Sequence, residues 1–127
     1  MKINYKLQKE FPLFERASKI FDIQRGTCFT YGDVYYTDFA PIPADFLVHE
    51  QCHTKQQTTY GIEEWWERYF IDPKFRLNQE LECYRVQLNS IKDRNQRFRR
   101  RLEVIGDLSS AMYGNIVTKE ELNSLLK

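Results

Sequence analysis

The chain has 127 residues, 29% of them charged, and a formal net charge of +1, so it is long enough for one hydrophobic core and carries no overall field that would draw it to nucleic acid or an anionic membrane. Aromatic residues make up 15%, which excludes disorder over most of the length. Three cysteines, Cys28, Cys52 and Cys83, without a Cys-x-x-Cys spacing, point to a reducing compartment rather than a disulfide framework.

Met1 to Glu10 alternates polar and apolar residues without a signal-peptide core, and no run approaches the ~18 apolar residues of a membrane span. The expectation is a mature cytoplasmic protein, one domain over residues 1–127, with no membrane association. Phe14, Ala17, Ile20 and Phe21 recur at helical spacing and predict a short helix over Glu15 to Phe21. Cys28 to Tyr31, a turn at Gly32-Asp33 and Val34 to Thr37 predict a hairpin. Pro41-Ile42-Pro43 is a stiff connector.

A helix is predicted from Asp45, as N-cap or first-turn acid, to Tyr60, with Gly61 ending it. At about 100° per residue, Phe46, His49, Glu50, His53, Gln57 and Tyr60 share one side. Val48, Cys52 and Thr59 share another, which is expected to pack inward. Ile62 to Phe70 reads as a short helix pinned by Trp65-Trp66 and Tyr69-Phe70, with one tryptophan buried and its neighbour partly exposed or lining a cleft. Asp72-Pro73 starts the next helix, which runs to about Lys92.

On that helix Leu77, Leu81, Tyr84, Leu88 and Ile91 form an apolar stripe that includes Glu80, while Glu82 falls with Phe75, Arg85 and Asn89 on the polar side. Arg94 to Arg101 holds five arginines in eight residues; they read as a solvated helix face, and nucleic-acid contact is not expected. Leu102 to Tyr113 reads as helical and closed by Gly114. Thr118 with Glu121 has the capping-box form ahead of a final short helix carrying Leu122, Leu125 and Leu126.

The only two histidines lie in Val48-His49-Glu50-Gln51-Cys52-His53. This is the His-Glu-x-x-His pattern of zinc-dependent hydrolases. Residues four apart lie on one helix face, so both imidazoles can meet one ion, and Glu50 lies round the helix from them as a general base does. Zinc (Zn2+) then needs a third protein ligand. Glu80, 27 residues beyond His53, is the expected one, because an inward carboxylate on an apolar stripe needs a partner. Glu82, about 200° away, cannot ligate the same ion. In such a site Glu50 takes a proton from the activated water and hands it to the leaving amine. Tyr84 and Tyr60 are candidates for a second donor to the developing negative charge. An open edge of the hairpin, Val34 to Thr37 first, could hold an extended peptide.

His49 to His53 together with Gln79-Glu80-Leu81-Glu82-Cys83-Tyr84 resembles the gluzincins, whose third zinc ligand is a glutamate on a later helix. The uncharged Leu47, Gln51, Cys52 and Thr54 fit the extended pattern, and Lys55 departs from it. Many gluzincins place an aspartate four residues after the ligand glutamate, where it supports a histidine; Tyr84 stands there in this chain. Trp65-Trp66, Asp72-Pro73, Phe75-Arg76 and Tyr113-Gly114-Asn115 extend a similarity to small predicted metallopeptidases of bacteria and their phages. The resemblance implies a mainly helical α+β fold. This would be a minimal zincin-like domain with a small antiparallel sheet or hairpin before the metal helix, acting on a peptide or protein substrate. The cleft of so small a domain would be shallow or completed by a partner protein, and a phage-encoded chain would act in its bacterial host's cytoplasm. Two other readings stay open: a non-catalytic zinc-binding module of a phage or bacterial assembly, and a metal-dependent amidase on a non-peptide amide.

Overall fold

The computed structural model describes residues 2–126. The fold is mainly helical α+β, in the order β1 (Asn4–Lys6), α1 (Phe14–Ile20), β2 (Phe29–Tyr31), β3 (Val34–Tyr36), α2 (Ala44–Tyr60), α3 (Ile62–Ile71), α4 (Pro73–Ser90), α5 (Arg94–Leu108) and α6 (Lys119–Leu125). The predicted hairpin forms, with Phe29 opposite Tyr36 and Tyr31 opposite Val34. Its turn needs a left-handed residue, which Gly32 supplies at φ 63°.

The sheet is mixed rather than antiparallel. β1 pairs in parallel with β3, giving the order β1-β3-β2. Three residues with polar Asn4 and Lys6 at the ends carry no strand signal of their own; the pairing depends on a partner distant in sequence. Two consequences correct the expected peptide seat. β3 is central, so Val34 to Thr37 has no open edge, and the outer edge of β2 is taken as well. The Thr30 carbonyl accepts from Gln57 Nε2 at 2.8 Å and from Trp66 Nε1 at 3.0 Å, and the Gly32 amide donates to Gln57 Oε1 at 2.7 Å.

Two apolar clusters flank the long helices. One is aromatic, built from residues such as Phe11, Phe29, Tyr36, Trp66 and Phe70; the other joins α4, α5 and α6 through Leu81, Val104, Leu108 and Leu122. α2 packs against α4, α3 and β2, yet its buried residues are His49, Glu50, His53, Gln56 and Gln57. The expected packing side is therefore wrong: Val48 and Cys52 are only half-buried and Thr59 is exposed. A polar face can be buried because nearly every group on it finds a partner, His49 Nδ1 being the exception among the described residues. Both tryptophans are buried, Trp65 at 1% and Trp66 at 4% exposure. Neither needs water, since Trp65 Nε1 donates to Gln79 Oε1 at 2.9 Å and Trp66 to Thr30.

Helix ends follow their capping chemistry. Asp72 Oδ1 accepts from the Lys74 and Phe75 amides, and Thr118 and Glu121 form the reciprocal box, both bonds 3.1 Å. Gly61 follows α2 at φ 86°. α5 stops at Leu108, short of the predicted Tyr113, because the Ser109 and Ser110 hydroxyls turn back onto the Ile105 and Asp107 carbonyls at 2.7 and 2.5 Å. The arginine run is more than a solvated face. Arg97 donates to the Ile91 carbonyl just beyond α4, Arg101 to the Leu126 carbonyl just beyond α6, and Arg100 to Asp45. Cations at helix C-termini oppose the negative end of the backbone dipole.

Candidate metal centre

One turn of α2 sets the His49 and His53 rings 4.8 Å apart between centroids. α4 lies along α2 and brings Glu80 between them. Glu80 Oε1 is 3.0 Å from His49 Nε2 and 3.3 Å from His53 Nε2. The three side chains are buried, at 3%, 4% and 3% exposure, and their ligand atoms lie within 4.8 Å of one another. Bonds of about 2.0–2.2 Å in a tetrahedron would set ligand atoms roughly 3.4 Å apart, close to the two distances from Glu80 Oε1 to the imidazoles. The donor set of two imidazole nitrogens and one carboxylate oxygen suits a divalent transition metal. His49, His53 and Glu80 together can hold a metal ion.

Other groups fix these three. Tyr69, buried on α3, donates its hydroxyl to Glu80 Oε2 at 2.5 Å, and Gln56 Oε1 faces His53 Nδ1 at 2.8 Å. Cys83 Sγ lies 3.4 Å from the same nitrogen. Sequence periodicity marks Tyr69 as one more core ring, and nothing local says that its hydroxyl meets a carboxylate. Glu50 lines the same chamber as the cluster and is held from the sheet side by Thr30, which donates to its Oε1 at 2.8 Å.

The charges follow from burial and neighbours. Burial alone would raise the Glu80 carboxyl, but the positive charge of His53 and hydrogen bonds from both imidazoles outweigh it and hold it well below the usual carboxylate range. Burial disfavours a charged His53, yet Glu80 overrides this and pushes the imidazole up to about 9. The Glu50 carboxyl is raised, chiefly by burial, with the two histidines and Thr30 opposing.

The two tyrosines proposed as donors part company. Tyr84 stands beside the site, its ring centroid 4.2 Å from that of His49, but its hydroxyl pairs with the Tyr113 hydroxyl. It supports His49 by ring contact rather than through the Nδ1 hydrogen bond that an aspartate would make, and that Nδ1 has no partner among the described residues. Tyr60 is not brought to the cluster. It is exposed and packs on Phe75, because seven residues of α2 share the phase of His53 but add about 10 Å of rise. Cys52 does not face inward either; it is half-buried, with its thiol 3.9 Å from Glu82 Oε1.

A chamber of about 60 Å³ is walled by His49, Glu50, His53, Glu80, Trp65 and Tyr69, among others. Beyond it a groove of about 400 Å³ reaches His49 and Glu50 past Phe39, Ile42, Phe46, Met112 and Tyr113. Cys28 and Tyr113 line both spaces. No helix among the described residues is long and apolar enough to cross a membrane. A scan of the chain against protein-family models returns no match, and neither does a search of curated proteins or of solved structures.

Proposed function

We propose that the protein is a zinc-dependent metallopeptidase in which His49, His53 and Glu80 hold the metal and Glu50 is the general base. The observation that carries this is the placement of Glu50. It is buried at 8% exposure beside the three ligands, is oriented by Thr30, and faces both the chamber and the groove. A purely structural metal site has no need of a carboxylate there.

Zinc, when bound, supplies a Lewis acid that polarises a carbonyl and lowers the pKa of a water to about 7. The protein's own part is proton handling and positioning. With Oε1 held by Thr30, Glu50 keeps Oε2 free to take a proton and return it to the leaving nitrogen. Its raised carboxyl brings it nearer the working pH than an exposed glutamate would be. The apolar side chains of the groove exclude water from the approach to Glu50 and seat the substrate.

A second reading, a metal-dependent amidase acting on a compact non-peptide amide, draws on a specific observation: the sheet edges nearest the site are already paired. Without an edge strand to add to, an extended peptide loses its main-chain anchor there, and a short substrate in the groove does not need one.

The test is elemental analysis with cleavage assays. Zinc near one equivalent is expected in wild type and in Glu50→Gln, with cleavage of an unfolded protein such as casein lost in the variant. Hydrolysis of small amides but of no peptide would favour the amidase. Stoichiometric zinc with no turnover on casein, peptide libraries or amides would leave a non-catalytic metal-binding module.

A further inference from the structure

Gln56 stands between His53 and Glu82, and its amide is fully used. Oε1 lies 2.8 Å from His53 Nδ1, while Nε2 lies 3.1 Å from the Gln79 carbonyl and 2.6 Å from Glu82 Oε1. A carboxamide has two hydrogens on nitrogen and only acceptor capacity on oxygen. The Gln79 carbonyl and the Glu82 carboxylate can only accept, so both hydrogens are committed to them. Turning the amide round would set its oxygen against two acceptors, and this fixes its orientation. The nitrogen that Oε1 faces, His53 Nδ1, must therefore carry a hydrogen. An imidazole protonated at Nδ1 can offer a lone pair only at Nε2, the atom 3.3 Å from Glu80 Oε1.

We propose that Gln56 and Glu82 are positioning residues for the metal: the chain Glu82–Gln56–His53 holds the ligand imidazole with hydrogen on Nδ1, fixing its ring and strengthening Nε2 as a donor. The proposal rests on the metal-binding reading of His49, His53 and Glu80. Hydrogen bonds in a chain polarise one another, so the charge of exposed Glu82 reaches buried His53 through a neutral amide. A glutamate at position 56 would instead stand against Glu82 as a second carboxylate. Glu82 thus acts on the outer side of the histidine whose inner side meets Glu80. His49 has no such chain, since its Nδ1 is unpartnered among the described residues and its ring rests on Tyr84.

The test is the zinc dissociation constant, measured by competition with a chromophoric chelator, for wild type, Gln56→Ala, Glu82→Gln and the double variant. Circular dichroism and urea unfolding check that each folds, and Gln56→Met, close in volume but without the amide, replaces Gln56→Ala if that variant does not. Gln56→Ala is expected to weaken binding about 10–100-fold and Glu82→Gln by a smaller factor. The double variant should be no weaker than Gln56→Ala alone, because the charge acts through Gln56. Nitrogen-15 spectra of the zinc-loaded wild type should show a slowly exchanging His53 Nδ1–H that is lost in Gln56→Ala, a signal that packing alone would not move. Unchanged affinity in Gln56→Ala, additive losses in the double variant, or hydrogen on Nε2 would overturn the chain while leaving the metal site standing. A wild type that takes up no zinc would overturn both.

Discussion

Glu80 carries most of the electrostatics of the site, and its two oxygens do different work. Oε1 meets both imidazoles and Oε2 takes the Tyr69 hydroxyl. Glu80→Gln should abolish stoichiometric zinc, read by elemental analysis. Tyr69→Phe should keep the metal but bind it about 10–100-fold more weakly, and should cost about 1.5–3 kcal/mol in urea unfolding, as expected for a hydrogen bond to a charged group.

The same pair predicts how the metal-free protein responds to pH. His53 is raised from 6.5 to about 9, so its contribution is complete below 6.5 and is lost as pH rises through about 9. Glu80 is depressed below its ordinary 4.5, so its contribution is present above 4.5 and is lost as pH falls. Urea midpoints of metal-free protein should be highest between these limits and decline on both sides. Zinc must displace the His53 proton, so apparent affinity should climb roughly tenfold per pH unit from 6.5 to 9. A flat chelator-competition profile over that window would contradict the assignment.

At the scale of elements, α2 is unusual in burying its polar face. Apolar periodicity along a helix normally says which side turns inward, and on α2 it points to Val48 and Cys52, which are only half-buried. The inward side is set by partners on other elements: Glu80 and Glu82 on α4, Thr30 on β2. Gln57 is the clearest case. It is 1% exposed and its amide caps the edge of β2 at Thr30 and Gly32 as another strand would. Gln57→Leu leaves the Gly32 amide unpaired and the Thr30 carbonyl with only its Trp66 bond, and should cost about 1–3 kcal/mol in urea unfolding. It should also lower turnover, because Thr30 orients Glu50. The ends of α4 and α6 were by contrast legible in Asp72-Pro73 and in Thr118 with Glu121, since a cap is satisfied within three or four residues of sequence.

For the whole molecule, the site lies where α2 meets α4 of the helical layer and β2 of the sheet, so a metal held by the cluster would link binding to folding. A ligand at a hundred times its dissociation constant adds about 2.7 kcal/mol. For a domain of this size that is a rise of roughly 10 °C in Tm. Calorimetry should show that loss on chelation of zinc-loaded wild type and no zinc-dependent shift in Glu80→Gln.

The sequence by itself placed His49 and His53 side by side, because four residues on a helix always return to one face, and it singled out Glu80 over Glu82 as their neighbour by the same phase argument on α4. The tertiary structure alone decided that β1 joins in parallel and closes β3, that Tyr60 is too far along α2, that Tyr69 grips Glu80, and that Gln56 and Glu82 back His53. Those contacts join elements that are neither adjacent in sequence nor marked by any shared period. They form because a buried carboxylate, imidazole or amide must find its partner wherever packing places one.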